Sequence, residues 1–151
     1  MTVMDTLSKI LSEAKASGVY HPAQSADEIA RAAKAAKLSI VQLDLGTVPG
    51  KGEFLARLAK AFKFPQYFGM NWDALNDYLT DLSWLDDHGW VVILFNGQDF
   101  AVNNQDDFNT AIDVLQTAAE YWRSHAKPFW VFVYGDNSWN PGLPGLPKAS
   151  P

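Results

Sequence analysis

There is no cysteine among the 151 residues. Disulfides, thiolate zinc sites and a cysteine nucleophile are thereby excluded, and the composition fits a reducing compartment. Long apolar runs are missing as well: none is longer than Trp90-Val91-Val92-Ile93-Leu94-Phe95, against the roughly 18 residues that read as a membrane span. The opening stretch MTVMDTLSKILSEAKASGVY carries polar residues throughout and no apolar block before a small-residue cleavage site, so neither signal peptide nor anchor is expected and a cytoplasmic location is. Cations are scarce, with Lys+Arg 12 against Asp+Glu 17 and a formal charge of -5. Nucleic acid and anionic membranes call for clustered Lys and Arg, so neither is expected as a direct partner.

What the chain does have is apolar material, 48% hydrophobic and 13% aromatic, enough for one packed core in a single domain of ordinary size. Leu7, Ile10, Leu11 and Ala14 recur at helical spacing between Asp5 and Ala16,. Ser25 with Glu28 reads as the cap of a second, Ala-rich helix running to Lys37,. A strand is predicted over Ser39–Leu45, then a helix over Glu53–Phe62 that Pro65 closes off. Gly69 and Asn71 open another helix, from about Trp72 to Leu82,. Trp90–Phe95 and Phe129–Tyr134 are too short and too rich in β-branched and aromatic residues for helices and read as interior strands,. Asn96-Gly97 reads as a turn, and the stretch from Asp106 or Asp107 to about Ser124 as a long helix. Three apolar strands separated by helices imply an α/β fold with a small three-stranded parallel sheet flanked by helices. The expected organisation is an N-terminal helical extension over residues 1–39, an α/β domain over 40–135, and a Gly/Pro-rich tail over 136–151 that stays outside the core.

Charge is unevenly distributed. Between Phe64 and Trp122 there is no Lys or Arg, yet there are ten acids: Asp73, Asp77, Asp81, Asp86, Asp87, Asp99, Asp106, Asp107, Asp113 and Glu120. An ordinary surface intersperses both signs, because a single-sign field repels itself. On the helix after Gly69, Trp72, Leu75, Leu79 and Leu82 fall on one side, while Asp73, Asp77 and Asp81 line up at i, i+4 and i+8 on the other,. Like charges at this spacing destabilise a helix by a few tenths of a kcal/mol per pair, and Asp81 near the last turn lies at the wrong end of the helix dipole. Stability alone does not choose this pattern. Solvation of an outer helix face is the plain explanation; the absence of any nearby cation favours a preformed anionic surface that meets a cationic partner.

The run Phe64-Pro65-Gln66-Tyr67-Phe68-Gly69-Met70-Asn71-Trp72-Asp73-Ala74-Leu75-Asn76-Asp77 resembles the signature of the barstar family, intracellular protein inhibitors of ribonucleases. A second similarity lies at Val114-Leu115-Gln116 followed by Glu120, and the resemblance covers about Ile40 to Tyr134. It implies a non-enzymatic, cofactor-free immunity-type protein whose acidic helix and following loop plug the basic active site of a cognate ribonuclease. The contacts it implies are Tyr67, Asn71, Asp73, Asn76 and Asp77, then Asp81 and Leu82 in the loop, and finally Glu120, with Asp77 foremost. The chain departs from the pattern at Asn76, where barstar has a tryptophan, at Leu82, where the tryptophan comes two residues later as Trp84, and at Met70, which replaces an acid.

Other chemistries find less support. Gly46-Thr47-Val48-Pro49-Gly50-Lys51-Gly52 has the wrong spacing for a phosphate-binding loop. Asp86-Asp87-His88 and Asp106-Asp107 lack calcium-loop spacing,, so no metal is expected. Asp73 and Asp77 share one exposed helix face, whereas the acid and base of a hydrolase flank a cleft. A scaffold reused as a non-inhibitory interaction module for another basic protein stays open as the alternative.

Overall fold

Parallel strands that read as unbroken apolar runs need cover on both faces. The computed structural model, which describes residues 3–65 and 69–147, supplies it with helices on either side of one sheet. The elements in order are α1 (Val3–Ser12), β1 (Val19–Tyr20), α2 (Ala26–Ala35), β2 (Ser39–Asp44), α3 (Lys51–Ala61), α4 (Trp72–Leu79), β3 (Trp90–Phe95), α5 (Gly97–Asn103), α6 (Gln105–Ser124) and β4 (Phe129–Val133), with short 3-10 turns at Ala14–Ala16 and Leu45–Thr47. The sheet is parallel throughout, in the order β1-β4-β3-β2.

The sheet therefore has four strands, where the sequence predicts three. The additional strand comes from the segment expected to be helical: Val19 pairs with Val131 and Tyr20 with Phe132 at the edge of β4. A two-residue strand between Gly18 and His21-Pro22 has no periodicity to betray it. Its backbone must still find partners, and it does so when Val131 N–H donates to Gly18 O at 3.0 Å,.

Side-chain alternation along β3 and β4 builds two cores. Val91, Ile93, Trp130 and Phe132 face α1 and α2, where they meet Leu7, Leu11, Ile29, Ala32 and Ala33. Trp90, Val92, Leu94, Phe129, Val131 and Val133 face the opposite way, against Phe54, Leu55, Leu58 and Phe62 of the α3 region, Leu75 and Leu79 of α4, and Leu115 and Ala119 of α6. Trp130 closes its side by donating its indole N–H to Leu11 O at 2.9 Å. The N-terminal segment is thus one full layer of the molecule, and its α2 is opened by the capping box that Ser25 and Glu28 encode,.

Two boundaries differ from expectation for local reasons. Asn96 adopts φ 56°, a region Asn tolerates better than most residues, and it introduces the short α5 where the sequence suggests only a turn. The tail also does not stay outside the core. Trp139 and Leu143 pack against the α3–α6 side and Leu146 against the α1–α2 side, while His21 N–H donates to Pro144 O at 2.8 Å.

Trp139 is seated where two glycines leave room. A Cβ at Gly97 would lie 2.8 Å from Trp139 Cη2, and one at Gly135 would meet the same ring closer still. Gly97→Ala is therefore expected to displace the indole and cost about 1–3 kcal/mol, read as a lower urea midpoint with an unchanged m-value. Among the described residues no helix is long and apolar enough to cross a membrane.

Candidate protein-binding site

The chain turns into α4 at Asn71, and this residue sets the geometry of the acidic surface. Its side-chain oxygen accepts from Ala74 N–H at 2.7 Å and its Nδ2 donates to Gly69 O at 3.1 Å. The first contact satisfies one of the free N–H groups at the helix start, and the second fixes the turn that precedes it. Asn71→Ala is expected to remove about 1 kcal/mol, seen as a drop in melting temperature. Met70, beside it, holds φ 51° and is 45% exposed.

α4 buries Leu75 and Leu79 and leaves Asp73 and Asp77 on the solvent side. Trp72 is half-buried, with Phe54 6.0 Å from its ring centre and Lys51 Nζ over its face at 5.6 Å. Asp73 lies in the first turn, where the helix dipole favours a negative charge. The described ion pairs are Lys15–Glu13 and Arg57–Glu53. None reaches Asp73, Asp77, Asp81 or Glu120 from a described lysine or arginine. These carboxylates are held on the surface without internal neutralisation.

The helix ends one turn earlier than its apolar spacing suggests. Thr80 donates its hydroxyl to Asn76 O at 2.8 Å, Asp81 N–H and Leu82 N–H both donate to Tyr78 O at 3.1 Å, and Leu82 takes φ 49°. A left-handed residue just past a helix reverses the chain direction. Asp81 consequently stands exposed in a turn and not on the helix. Leu82 swings inward and is 2% exposed. Its expected role as a contact residue is corrected by this burial, since its side chain belongs to the core.

Indole N–H groups anchor both flanks of this turn. Trp122 of α6 donates to Leu79 O at 2.7 Å, satisfying a carbonyl at the end of α4, and Trp84 donates to Phe62 O at 2.8 Å. Trp84 also packs edge-on to Phe64 and Tyr78, both with ring centres 5.9 Å away. Trp84 is therefore a buttress under the turn; it does not take up an exposed position in place of Leu82.

Of the remaining expected residues, Asn76 is half-buried. Glu120 is exposed on α6 and accepts from Gln116 Nε2 at 3.2 Å. Gln116 in turn accepts from Val19 N–H at 3.2 Å, so the Glu120 carboxylate is oriented from the edge of the sheet. Tyr67 lies outside the described residues. α4 and α6 are joined by the Trp122 bond and by a shared core, so Asp73, Asp77 and Glu120 sit on two elements packed against each other. Lys51 is the residue the sequence does not bring to mind. It lies well upstream of the acidic stretch, and only the packing of α3 on α4 carries it to Trp72.

Comparison with solved structures finds the Aeropyrum pernix ORC2 protein in ADPNP–ADP complexes, 18% identical with a TM-score of 0.58; the match covers 88% of this chain and 40% of that one. At that identity the likeness is one of fold. This chain spans 40% of the length of that protein. No curated protein matches the sequence. Comparison with known families matches residues 38–134 to the family described as Barstar (barnase inhibitor). That span takes in β2, β3, β4 and the capped acidic helix, and the chain belongs to the barstar family.

Proposed function

We propose that the chain is a protein inhibitor of a basic ribonuclease, acting by one-to-one occlusion of the active site with α4 and the turn that follows. The observation that carries this reading is a pair of aspartates, Asp73 and Asp77, on the exposed face of a capped helix with no described lysine or arginine within ion-pair reach. An active site built for phosphates presents clustered Lys and Arg, and carboxylates carried on a helix that is already formed meet it at a reduced ordering cost.

In this reading Asp77 enters deepest, Asp73 sits beside it, and Asp81 and Glu120 form the acidic rim, with Tyr67, Asn71 and Asn76 supplying contact area. Leu82 acts from inside by holding the turn. Titrating a panel of small basic ribonucleases, barnase among them, with the chain in a continuous RNA-cleavage assay should abolish cleavage by the cognate member at one equivalent, and raising the salt should slow association. Undiminished cleavage by barnase and by a panel of other small basic ribonucleases, at low salt and with excess chain, would overturn the reading.

A further inference from the structure

The two edges of the sheet are treated differently. At β1 the outward Val19 N–H is taken by Gln116 Oε1 at 3.2 Å. At β2, Ser39 N–H donates inward to Gly89 O at 3.0 Å, so alternation directs Ser39, Val41 and Leu43 toward β3 and Ile40, Gln42 and Asp44 outward. Arg57 confirms that direction by donating from Nη1 to Asp44 O at 3.1 Å. In that alternation the backbone groups of Ile40 and Gln42 point away from β3,, and no bond outside the ladder reaches them from a described residue. The edge is also open to approach, for a cleft of about 150 Å³ lies alongside, lined by Ser39, Ile40, Phe62, Lys63 and Asp87 among others. Proteins usually blunt such an edge with Pro, Lys or a bulge, and Ser39–Asp44 contains no Pro or Lys.

We propose that this edge pairs with β2 of a second copy of the chain, antiparallel about a two-fold axis at Val41. That register uses the groups left unclaimed. Ile40 of each copy exchanges N–H···O=C bonds with Gln42 of the other, and the Asp44 carbonyl stays with Arg57. Opposed side chains are then Val41 with Val41 and Ile40 with Gln42, so no like charges face one another across the axis.

Charge at the two ends fits a head-to-tail arrangement. Lys37 and Lys63 flank the start of the strand, where Asp87 is already engaged by Ser39 Oγ and Trp90 Nε1. Asp44 and Asp99 flank its end around Gly46, where Arg57 is paired with Glu53. Hydrogen bonds from Asn96 and from Gly46 N–H hold the Asp44 carboxyl below its ordinary range, which keeps that end negative. A two-fold axis brings each basic end to an acidic one. The pairing lies on the sheet edge and involves no residue of α4, so it stands independently of the inhibitor reading.

Sedimentation equilibrium from micromolar to millimolar protein tests it. The mass should climb from 16.7 kDa toward twice that value, less steeply at high salt. Gln42→Pro should hold the single-chain mass throughout, because proline removes an outward donor and none of the β2–β3 bonds. Amide exchange gives a second readout on the unaltered chain: the Ile40 and Gln42 amides should slow as concentration rises, while Val41 and Leu43 stay protected at every concentration. A mass that never leaves the single-chain value, with Ile40 and Gln42 exchanging freely, overturns the proposal, as does a dimer that Gln42→Pro leaves intact.

Discussion

Asp77→Ala should weaken binding to the target ribonuclease by about 2 kcal/mol or more, roughly thirty-fold or greater, while the melting temperature holds or rises slightly. The two effects have opposite signs for one reason. In the free protein Asp77 faces Asp73 one helical turn away, both exposed and neither paired with a described cation. Removing one charge relieves a few tenths of a kcal/mol of repulsion, and alanine is the better helix former by roughly half a kcal/mol. In the complex the same carboxylate would be the group that answers a buried cationic cluster, and its loss leaves those cations unpaired. Asp73→Ala should follow the same pattern, with a smaller stability gain because Asp73 has the favourable end of the dipole. Isothermal titration paired with thermal melts checks both signs at once. A variant that loses stability and keeps its affinity would show that these aspartates serve the fold.

The contrast with Asn71 separates architecture from recognition. Its side chain is spent on Ala74 N–H and Gly69 O, so Asn71→Ala should lose stability first and affinity through it. The side chains of Asp73 and Asp77 show no such internal bonds among the described residues. A surface whose residues divide this way, some anchoring the helix and others standing free on it, behaves as a preorganised docking element.

Much of this was legible in the sequence because it rests on local patterns. β3 and β4 declare themselves as apolar runs of strand length, and the Ser25–Glu28 box and the Asn71 cap are spacing signals that local hydrogen bonding obeys,. The acidic surface was signalled by a simple absence, since no Lys or Arg lies between Phe64 and Trp122, and no described lysine or arginine pairs with Asp73 or Asp77. What stayed hidden is non-local. β1 is a strand only because β4 lies beside it, and the packing of the tail depends on notches at Gly97 and Gly135 that belong to two distant segments. Leu82 shows the limit most clearly. Its spacing placed it on the apolar side, where it is buried, while its motif position placed it at an interface, and the turn that ends α4 at Leu79 before it carries no local signal.

A chain beginning at Leu38, the start of the family match, should fail to fold cooperatively. The sheet would lose β1 and the whole α1–α2 layer, and Val91, Ile93, Trp130 and Phe132, each 0% exposed in the intact chain, would open to water together. Burial of a large apolar side chain contributes about 1.5–3 kcal/mol, so uncovering four of them removes as much as most domains have in total, 5–15 kcal/mol. A graded version tests the same layer without deleting it. Trp130→Ala should cost about 3–5 kcal/mol, including the loss of the indole bond to Leu11 O, whereas Lys34→Ala on the exposed side of α2 should stay within about 0.5 kcal/mol. Urea unfolding followed by circular dichroism distinguishes the outcomes. A truncated chain with a sharp transition and a native-like m-value would mean that the sheet and α3–α6 suffice alone, and that the N-terminal layer is an appendage to the fold.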